Sequence, residues 1–393
     1  MRFGLSSRNF LENILVLYFL SLLSNRIYID VGFALSFAYL FLVLMTFIFL
    51  LNFRSSVVSS DVITISVAAF YLYACFTGLY SINHDSSLRF IFGAILLFIS
   101  VSVVCGVSLA NKISLENVLR KLVPLYLTIS LMSLVYGLGT FNATMEHQTF
   151  GGVMVEKSVP RLVGLTIDPN FAALTFIFCF FYLLSSPSSF FLRKCLILLS
   201  VLLIIATLSR SALIALIVGV ILYAFMQLRN IFKYCVFTIL GVSILTPLVL
   251  YLDSLGVFNI VEIIEKRTSG IATGAGRFEL WSHALELFSL KPLLGHGIFS
   301  FRHVNYLTFG VDRYAHNTFL EVLVETGILG FVLFMLIQVS ILFRAYFSEK
   351  KTFLFPLYAS FFVMSFSLSL YLNSIFIFFL ILFVLSTNRV VSR

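Results

Sequence analysis

Long apolar runs separated by short polar segments fill most of this chain. A helix that crosses a bilayer needs about 20 mostly apolar residues, and runs of this kind recur along the whole sequence. The pattern therefore predicts an all-α, polytopic membrane helical bundle with about twelve transmembrane helices. The predicted spans cover approximately residues 10–25, 32–52, 61–81, 89–109, 122–140, 170–186, 195–209, 211–227, 235–252, 317–339, 353–372 and 374–388.

An even number of spans places both termini on the same side of the membrane. With both termini in the cytoplasm, more than half of the 26 Lys and Arg residues fall in cytoplasmic segments, as the positive-inside rule requires. The long polar segment then lies on the outer side. This predicts three parts: transmembrane helices in 1–252, an outer loop in 253–316 that carries the chemistry, and transmembrane helices in 317–393.

The outer loop is too long for a simple hairpin and is not of low complexity, which favours a functional segment. It contains a helical pattern from Arg277 to Leu290, which Pro292 follows closely. We expect this helix to lie on the outer membrane surface with its apolar face down. The residues that define the apolar face are Phe278, Trp281, Leu285 and Phe288. A second outer segment, approximately 140–169, also exceeds hairpin length.

Composition changes this picture little. The chain is 60% hydrophobic and 11% charged, which is typical of a membrane protein. The net charge of +9 is explained by basic cytoplasmic loops, and no basic stripe with interleaved aromatics indicates nucleic acid. The five cysteines lie in or beside apolar runs without metal-ligand spacing. No nucleotide-binding loop or paired metal-ligand spacing occurs, so we expect neither a cofactor nor a metal.

The strongest candidate for chemistry stands where the outer loop meets an apolar helix. His316 is suited to act as a general base, since its ordinary pKa of about 6.5 leaves it largely neutral at pH 7. Asn317 is expected to cap the helix, and Glu321 shares its face, where it could support His316. An interfacial histidine beside snorkelling acids is the alternative interpretation.

Three further segments bring arginines to outer turns. Arg277 follows a glycine at a helix start, where free backbone N–H groups and a planar guanidinium suit a phosphate. Arg210 lies between two apolar runs with almost no loop, and snorkelling is its simpler explanation. Arg161 precedes an Asp-Pro-Asn turn that contains Asn170.

Taken in order, these segments resemble the O-antigen polymerase and O-antigen ligase superfamily, whose members are bacterial membrane glycosyltransferases with a GT-C-like helical fold. The family pattern His-Asn, nine residues, Gly, two residues, then a small residue is matched by His316-Asn317, Gly327 and Gly330. The resemblance covers approximately residues 155–345. It also rests on Arg161 to Asn170, Ser209-Arg210, and Gly276-Arg277 with the Pro-Leu-Leu-Gly segment after it.

The resemblance implies a metal-independent glycosyltransferase that uses an undecaprenyl-diphosphate-linked oligosaccharide on the periplasmic face of the inner membrane. It makes His316 the catalytic base and makes Arg210 and Arg277 the groups that bind the lipid diphosphate. Besides the lipid-linked substrate and membrane lipid, the implied function allows a chain-length regulator protein as a partner. The residues expected to bind substrate are Arg161, Asn170, Asn317, Glu321, Arg302 and Arg313.

Four functions remain open at this point, and one of them is glycosylation of a protein or synthesis of another polysaccharide by the same chemistry. A polymerase joins repeat units, and the Arg161 to Asn170 segment looks more like that branch. A ligase transfers the finished chain to lipid A-core by the same chemistry. A flippase for lipid-linked sugars would need polar residues in the middle of several spans, and mid-span charge is nearly absent.

Overall fold

The computed structural model describes residues 5–30, 34–51, 62–142, 144–186, 190–227, 276–348, 352–371 and 373–387. Within these ranges the chain is mostly helical. The helices are α1 (Leu5–Leu23), α2 (Phe37–Leu51), α3 (Val62–Thr77), α4 (His84–Ala110), α5 (Leu115–Thr140), α6 (Pro169–Ser185), α7 (Phe190–Ala206), α8 (Arg210–Met226), α9 (Arg277–Leu290), α10 (Phe301–Phe309), α11 (Thr318–Tyr346), α12 (Leu354–Met364) and α13 (Ser374–Thr387).

Eleven of the predicted spans coincide with helices, and the remaining one, 235–252, lies outside the described residues. Among the helices in the described ranges, four are long and apolar enough to cross a membrane, and several shorter ones are strongly apolar. The protein is therefore a helical membrane protein by length and composition, and the count of twelve spans stays a prediction. The four long spans are Val62–Tyr80, His84–Ala110, Leu115–Thr140 and Thr318–Tyr346.

Two helices form the centre of the bundle. Almost every side chain of α6 and α13 is buried, as expected for helices that are apolar on all sides. Their aromatic rings pack edge to face, with the Phe178 and Phe378 centroids 5.0 Å apart. The surrounding helices leave large apolar side chains exposed, such as Phe47, Leu72 and Phe92, which are suited to contact lipid.

Polar residues at the outer helix starts act as caps. The Asp168 carboxylate accepts a 2.7 Å hydrogen bond from the Asn170 N–H at the start of α6, where Pro169 takes the first helical position. Asn317 accepts from Phe319 N–H and the next N–H at the start of α11, which confirms its predicted role as N-cap. These caps fix where the helices begin, and the candidate site is built at those ends.

The expectation of an all-α fold is wrong in one respect, because five short strands are present in the described ranges. β1 (Tyr28–Asp30) and β2 (Ala34–Ser36) form an antiparallel pair, and the segment between α5 and α6 forms a three-stranded antiparallel sheet. In that sheet Arg161 lies opposite Met154. Its strands are β3 (Thr149–Phe150), β4 (Val153–Glu156) and β5 (Val159–Leu162). This sheet lies in the second outer segment, 140–169, for which no strands were predicted.

The predicted outer helix exists as α9, and a second apolar face, which was not predicted, packs against protein. Leu280, Ala284 and Leu287 are buried against α10 and the start of α11. Phe278 and Leu285, expected to face the membrane, are exposed. The second outer helix, α10, was not predicted, and it shares the apolar cluster that holds α9 against the bundle.

The predicted span 353–372 is interrupted, since α12 ends at Met364 and residues 365–371 are not helical. The start of α11 provides hydrogen-bond partners for the backbone carbonyls of this mostly buried, non-helical segment. Thr318 N–H donates to Ser365 O at 2.9 Å, and the Thr318 hydroxyl donates to Leu368 O at 2.6 Å. Non-helical backbone inside a membrane domain is stable where protein groups satisfy it, as they do here.

Candidate functional site

Arg161 connects the small sheet to the end of α7. Its side chain is buried, Nε donates to Thr207 O at 3.0 Å, and the guanidinium forms an ion pair with Glu156. A buried guanidinium needs such partners to offset lost hydration. The structure thus shows Arg161 bracing the turn that leads into α8, while its predicted contact with substrate stays a prediction.

The starts of α6 and α8 lie side by side. The Ser209 hydroxyl donates to Asn170 Oδ1 at 2.6 Å and accepts from Ala212 N–H at 3.3 Å, so it caps α8 and links the two helices. Arg210 is the first residue of α8, and its side chain is exposed. Two helix N-termini with their free N–H groups and an arginine therefore open on one region.

Arg277 joins this region from the outer loop. Gly276 immediately before it has φ = 80°, a left-handed conformation that glycine adopts without strain, and the helix begins at once. Burial lowers the pKa of Arg277, Asp168 raises it, Arg210 lowers it and Glu156 raises it. Asp168, Arg210 and Glu156 are therefore close enough to Arg277 for their charges to act on it, and the charge of Arg210 repels that of Arg277. An anion between them would relieve that repulsion.

His316 completes the cluster. Its side chain is exposed to solvent, yet burial is the main cause that lowers its pKa, followed by the charge of Arg277; Asp168 raises the pKa and Arg313 lowers it. Exposure combined with dense surrounding protein is typical of a side chain on the wall of a cleft. His316 is consequently neutral near pH 7 and able to accept a proton.

The backbone of His316 is held in an uncommon conformation. Its φ is 49°, in the left-handed region that residues with a Cβ seldom adopt. The His316 N–H donates to Glu321 Oε1 at 3.0 Å, which confirms the prediction that Glu321 supports His316. Glu321 is buried and also accepts from the Ser369 hydroxyl, so it binds protein groups in this structure. Its predicted contact with substrate stays a prediction.

A contact that sequence reasoning missed joins the outer loop to α11. The buried Glu325 carboxylate accepts from Phe299 N–H at 2.7 Å, from Phe301 N–H at 3.0 Å and from the Tyr371 hydroxyl. Because Phe301 begins α10, a carboxylate on a membrane helix caps this outer helix. The sequence signal was an acid inside a span, which is costly unless it has partners.

Gly327 allows the loop to approach α11 closely. Its backbone (φ 64°, ψ −170°) breaks the helix, and a Cβ there would lie 2.2 Å from Leu293 O. The carbonyls freed by the break accept from the loop, with His296 N–H on Val324 O at 2.9 Å. Gly327 is the glycine of the motif that begins at His316, and the close packing of the loop on α11 explains why this position requires glycine.

Two other predicted residues, Arg302 and Arg313, lie in the last part of the outer loop. Arg302 forms a two-point ion pair with Asp312, with Nη2 and Oδ2 2.6 Å apart, and lies 5.7 Å from the Tyr314 ring centroid. Arg313 is exposed, and its charge acts on His316. The structure therefore brings Arg313 towards the cluster and places Arg302 in a separate pair.

Two other histidines of the loop, His283 and His296, have structural partners. His283 Nδ1 lies 3.1 Å from Asn305 Oδ1, and its ring stacks on Phe309 with centroids 3.9 Å apart. His296 Nε2 lies 2.8 Å from Leu287 O. Across the part of the chain that the structure describes, no group of three or more His, Cys, Asp or Glu side chains is placed to hold a metal ion.

Comparison with known protein families gives a match over part of the chain. Residues 195–335 match the sequence model of a family described as O-antigen ligase. The matched region contains Arg210, Arg277 and His316, whereas Arg161 and Asn170 precede it. No curated protein matches the chain. The match confirms the resemblance based on the motifs: residues 195–335 are similar to the O-antigen ligase family.

Proposed function

We propose that the protein is a glycosyltransferase of the O-antigen polymerase type, which joins undecaprenyl-diphosphate-linked oligosaccharide repeat units. One observation supports the proposal: Arg210, Arg277 and His316 come from three separate segments, yet the charge of Arg210 acts on Arg277 and the charge of Arg277 acts on His316. Two cations beside a neutral base are the groups that transfer from a lipid diphosphate requires.

In the proposed reaction, neutral His316 takes the proton of an acceptor sugar hydroxyl. The hydroxyl oxygen then bonds to the anomeric carbon of the donor, and the bond from that carbon to the diphosphate oxygen breaks. The lipid diphosphate leaves with the electron pair, so negative charge grows on its oxygens. Arg210 and Arg277, already in place, stabilise that charge. A diphosphate is a good leaving group, and the proposal needs no metal and no cofactor.

The half-buried position of Arg277 favours this role. Positive charge in a poorly hydrated cleft interacts more strongly with phosphate than the same charge in water. A guanidinium also presents paired N–H donors to two phosphate oxygens. The N-termini of α6 and α8 beside it add partial positive charge. These features support binding of the diphosphate at the mouth of the bundle.

The matched family's description favours one alternative, an O-antigen ligase that transfers the polymer to lipid A-core. Polymerase and ligase share the donor, the base and the arginines, and they differ in the acceptor. We retain polymerase because the Arg161 to Asn170 segment resembles that branch, and this segment braces Arg210. In either case we propose that the site lies on the periplasmic face of the inner membrane and that both termini are cytoplasmic. A chain-length regulator protein is the partner that we propose.

The lipopolysaccharide of a strain that lacks the gene tests the proposal. A polymerase predicts lipid A-core that carries a single repeat unit, and restoration of long chains by the wild-type gene. Bare core together with accumulated lipid-linked polymer would identify a ligase instead. Unchanged long-chain lipopolysaccharide would contradict both functions.

A further inference from the structure

The peptide unit between Ala315 and His316 is held on both sides by side chains. Trp281 Nε1 donates to Ala315 O at 3.1 Å, and the His316 N–H donates to Glu321 Oε1 at 3.0 Å. Ala315 is fully buried and Glu321 is 1% exposed, so both bonds are shielded from competing water. With its carbonyl and its N–H both fixed, the plane of this peptide is set by two side chains.

This peptide sets the direction of the His316 side chain. His316 has φ = 49°, and a left-handed residue with a Cβ persists only when its surroundings enforce it. On the other side of His316, Asn317 caps α11 and fixes the start of that helix. The backbone of His316 is therefore held between a fixed peptide and a fixed helix start, which together set its φ and the direction of its Cα–Cβ bond.

Trp281 belongs to the same helix as the phosphate-binding candidate. Arg277 is the first residue of α9 and Trp281 lies four residues later, so the two share a face one turn apart. One rigid helix thus carries a guanidinium at its start and the donor that holds the Ala315 carbonyl. Movement of Arg277 towards an anion would be transmitted to the peptide beside His316.

Glu321 anchors the other side of the peptide to the bundle. Its Oε1 also accepts from the Ser369 hydroxyl at 2.7 Å, in the non-helical segment after α12. The acceptor is therefore fixed by a second element, independently of α9. The peptide lies between one anchor on the outer loop and one on the membrane helices.

We propose that Trp281 and Glu321 are positioning residues that hold the Ala315–His316 peptide and thereby couple the Arg277 helix to the orientation of His316. The proposal rests on the proposed function, in which His316 is the base. A base displaced by a fraction of an ångström remains present but reacts slowly. The expected signature is a lower kcat with little change in the KM for the lipid-linked donor.

Trp281→Phe removes the indole donor and keeps an aromatic ring. We expect kcat to fall about three- to ten-fold, the equivalent of one net hydrogen bond, with the donor KM near the wild-type value. The matched control is Phe288→Leu, since Phe288 packs on the same apolar cluster without bonding Ala315. If the control lowers kcat as much as Trp281→Phe does, Trp281 acts through packing alone and the proposal is wrong.

Glu321 offers a rescue experiment. Glu321→Leu removes the acceptor, whereas Glu321→Gln retains a side-chain oxygen for the His316 N–H. We expect Glu321→Gln to restore most of the kcat that Glu321→Leu loses. Equal loss in both variants would show that the carboxylate charge, rather than the hydrogen bond to His316, is what matters, and would overturn the role given to Glu321.

Fluorescence tests the coupling without turnover, because Trp281 is the one tryptophan of the chain. Glu321→Leu frees the peptide that Trp281 bonds, so the emission of the purified protein in detergent should shift. Ser369→Ala keeps the acceptor of the His316 N–H and loosens only its anchor, so it should shift the emission less than Glu321→Leu does. The same emission in wild type and Glu321→Leu would overturn the proposal.

The two sets of measurements separate the two proposals. If the wild-type protein does not extend lipid-linked repeat units, the proposed function fails, and the fluorescence comparison still tests the peptide contacts. If the wild type is active, His316→Ala is inactive and Trp281→Phe keeps the wild-type kcat, the function stands and the positioning role of Trp281 is wrong.

Discussion

The Ser209 hydroxyl donates a 2.6 Å hydrogen bond to Asn170 Oδ1, and this contact fixes the start of α8 against the start of α6. The same hydroxyl accepts from Ala212 N–H as the cap of α8. Arg210 is the next residue, so its position depends on this contact. The charge of Arg210 in turn acts on Arg277. One hydroxyl therefore helps to align two segments of the candidate diphosphate site.

Ser209→Ala should lower the free energy of unfolding by about 1–2 kcal/mol, since a cap and a hydrogen bond are both lost. It should also raise the KM for the lipid-linked donor, because Arg210 loses its alignment. Ser211→Ala is the matched control: its Oγ lies 3.2 Å from Ser209 Oγ, but it does not cap α8. Equal effects of the two variants on unfolding and KM would contradict this account.

Arg277→Lys keeps the charge but loses the planar pair of donors. We expect kcat/KM to fall by at least about ten-fold, as for the loss of a charge-assisted hydrogen bond. Arg120→Lys provides the control for the same exchange. Arg120 is exposed near the start of α5 and pairs with Glu116 one turn away. Near-wild-type turnover of Arg277→Lys would argue against paired contacts with phosphate.

The pH dependence of kcat/KM should report the pKa of His316. Burial and Arg277 hold this pKa below its ordinary value of 6.5, so the neutral base and the activity should persist below pH 6.5 and be lost in more acidic solution. Arg313→Gln removes a positive charge, which raises the pKa and moves the acid limb to higher pH. Asp168→Asn removes a negative charge and moves the limb to lower pH, while its amide oxygen can still cap α6.

These shifts should be measured at low ionic strength, because salt screens charges of this kind. Opposite directions for the Arg313 and Asp168 variants are the expected result. An acid limb that stays in place in both variants would show that a group other than His316 controls the reaction.

Local signals in the sequence predicted the parts of this site that depend on neighbouring residues. Helix periodicity placed the spans, and the spacing of His316, Asn317 and Glu321 predicted the cap and a supporting role for Glu321, which the structure shows as a bond from the His316 backbone. These contacts span five residues or fewer, so the pattern of one helix start contains them.

Contacts between distant segments were not predictable in this way. Glu325 binds Phe299, Phe301 and Tyr371, and helix periodicity carries no information about these partners. The packing of α9 on α10 was not predictable for a related reason. Apolar residues lie on two faces of α9, and the face that packs against protein depends on α10, with Val304 in the shared cluster.

Glu325→Leu tests the contact that holds the outer loop. It leaves two backbone N–H groups and a tyrosine hydroxyl without their acceptor, and each unsatisfied buried donor costs about 1–3 kcal/mol. We expect a clearly lower unfolding midpoint in detergent and faster proteolysis between residues 292 and 310. Tyr371→Phe removes one of the three donors together with its bond, so its effect should be much smaller. Equal midpoints for both variants would contradict the capping role of Glu325.

The most direct test of the central claim is extension of purified lipid-linked repeat units by the reconstituted protein, with a metal chelator present and no ion gradient. The account predicts a ladder of lengthened glycan with the wild-type protein. It also predicts a single unextended band with His316→Ala, at equal amounts of folded protein in the membrane. A ladder from His316→Ala that matches the wild type would contradict the assignment of His316 as the base.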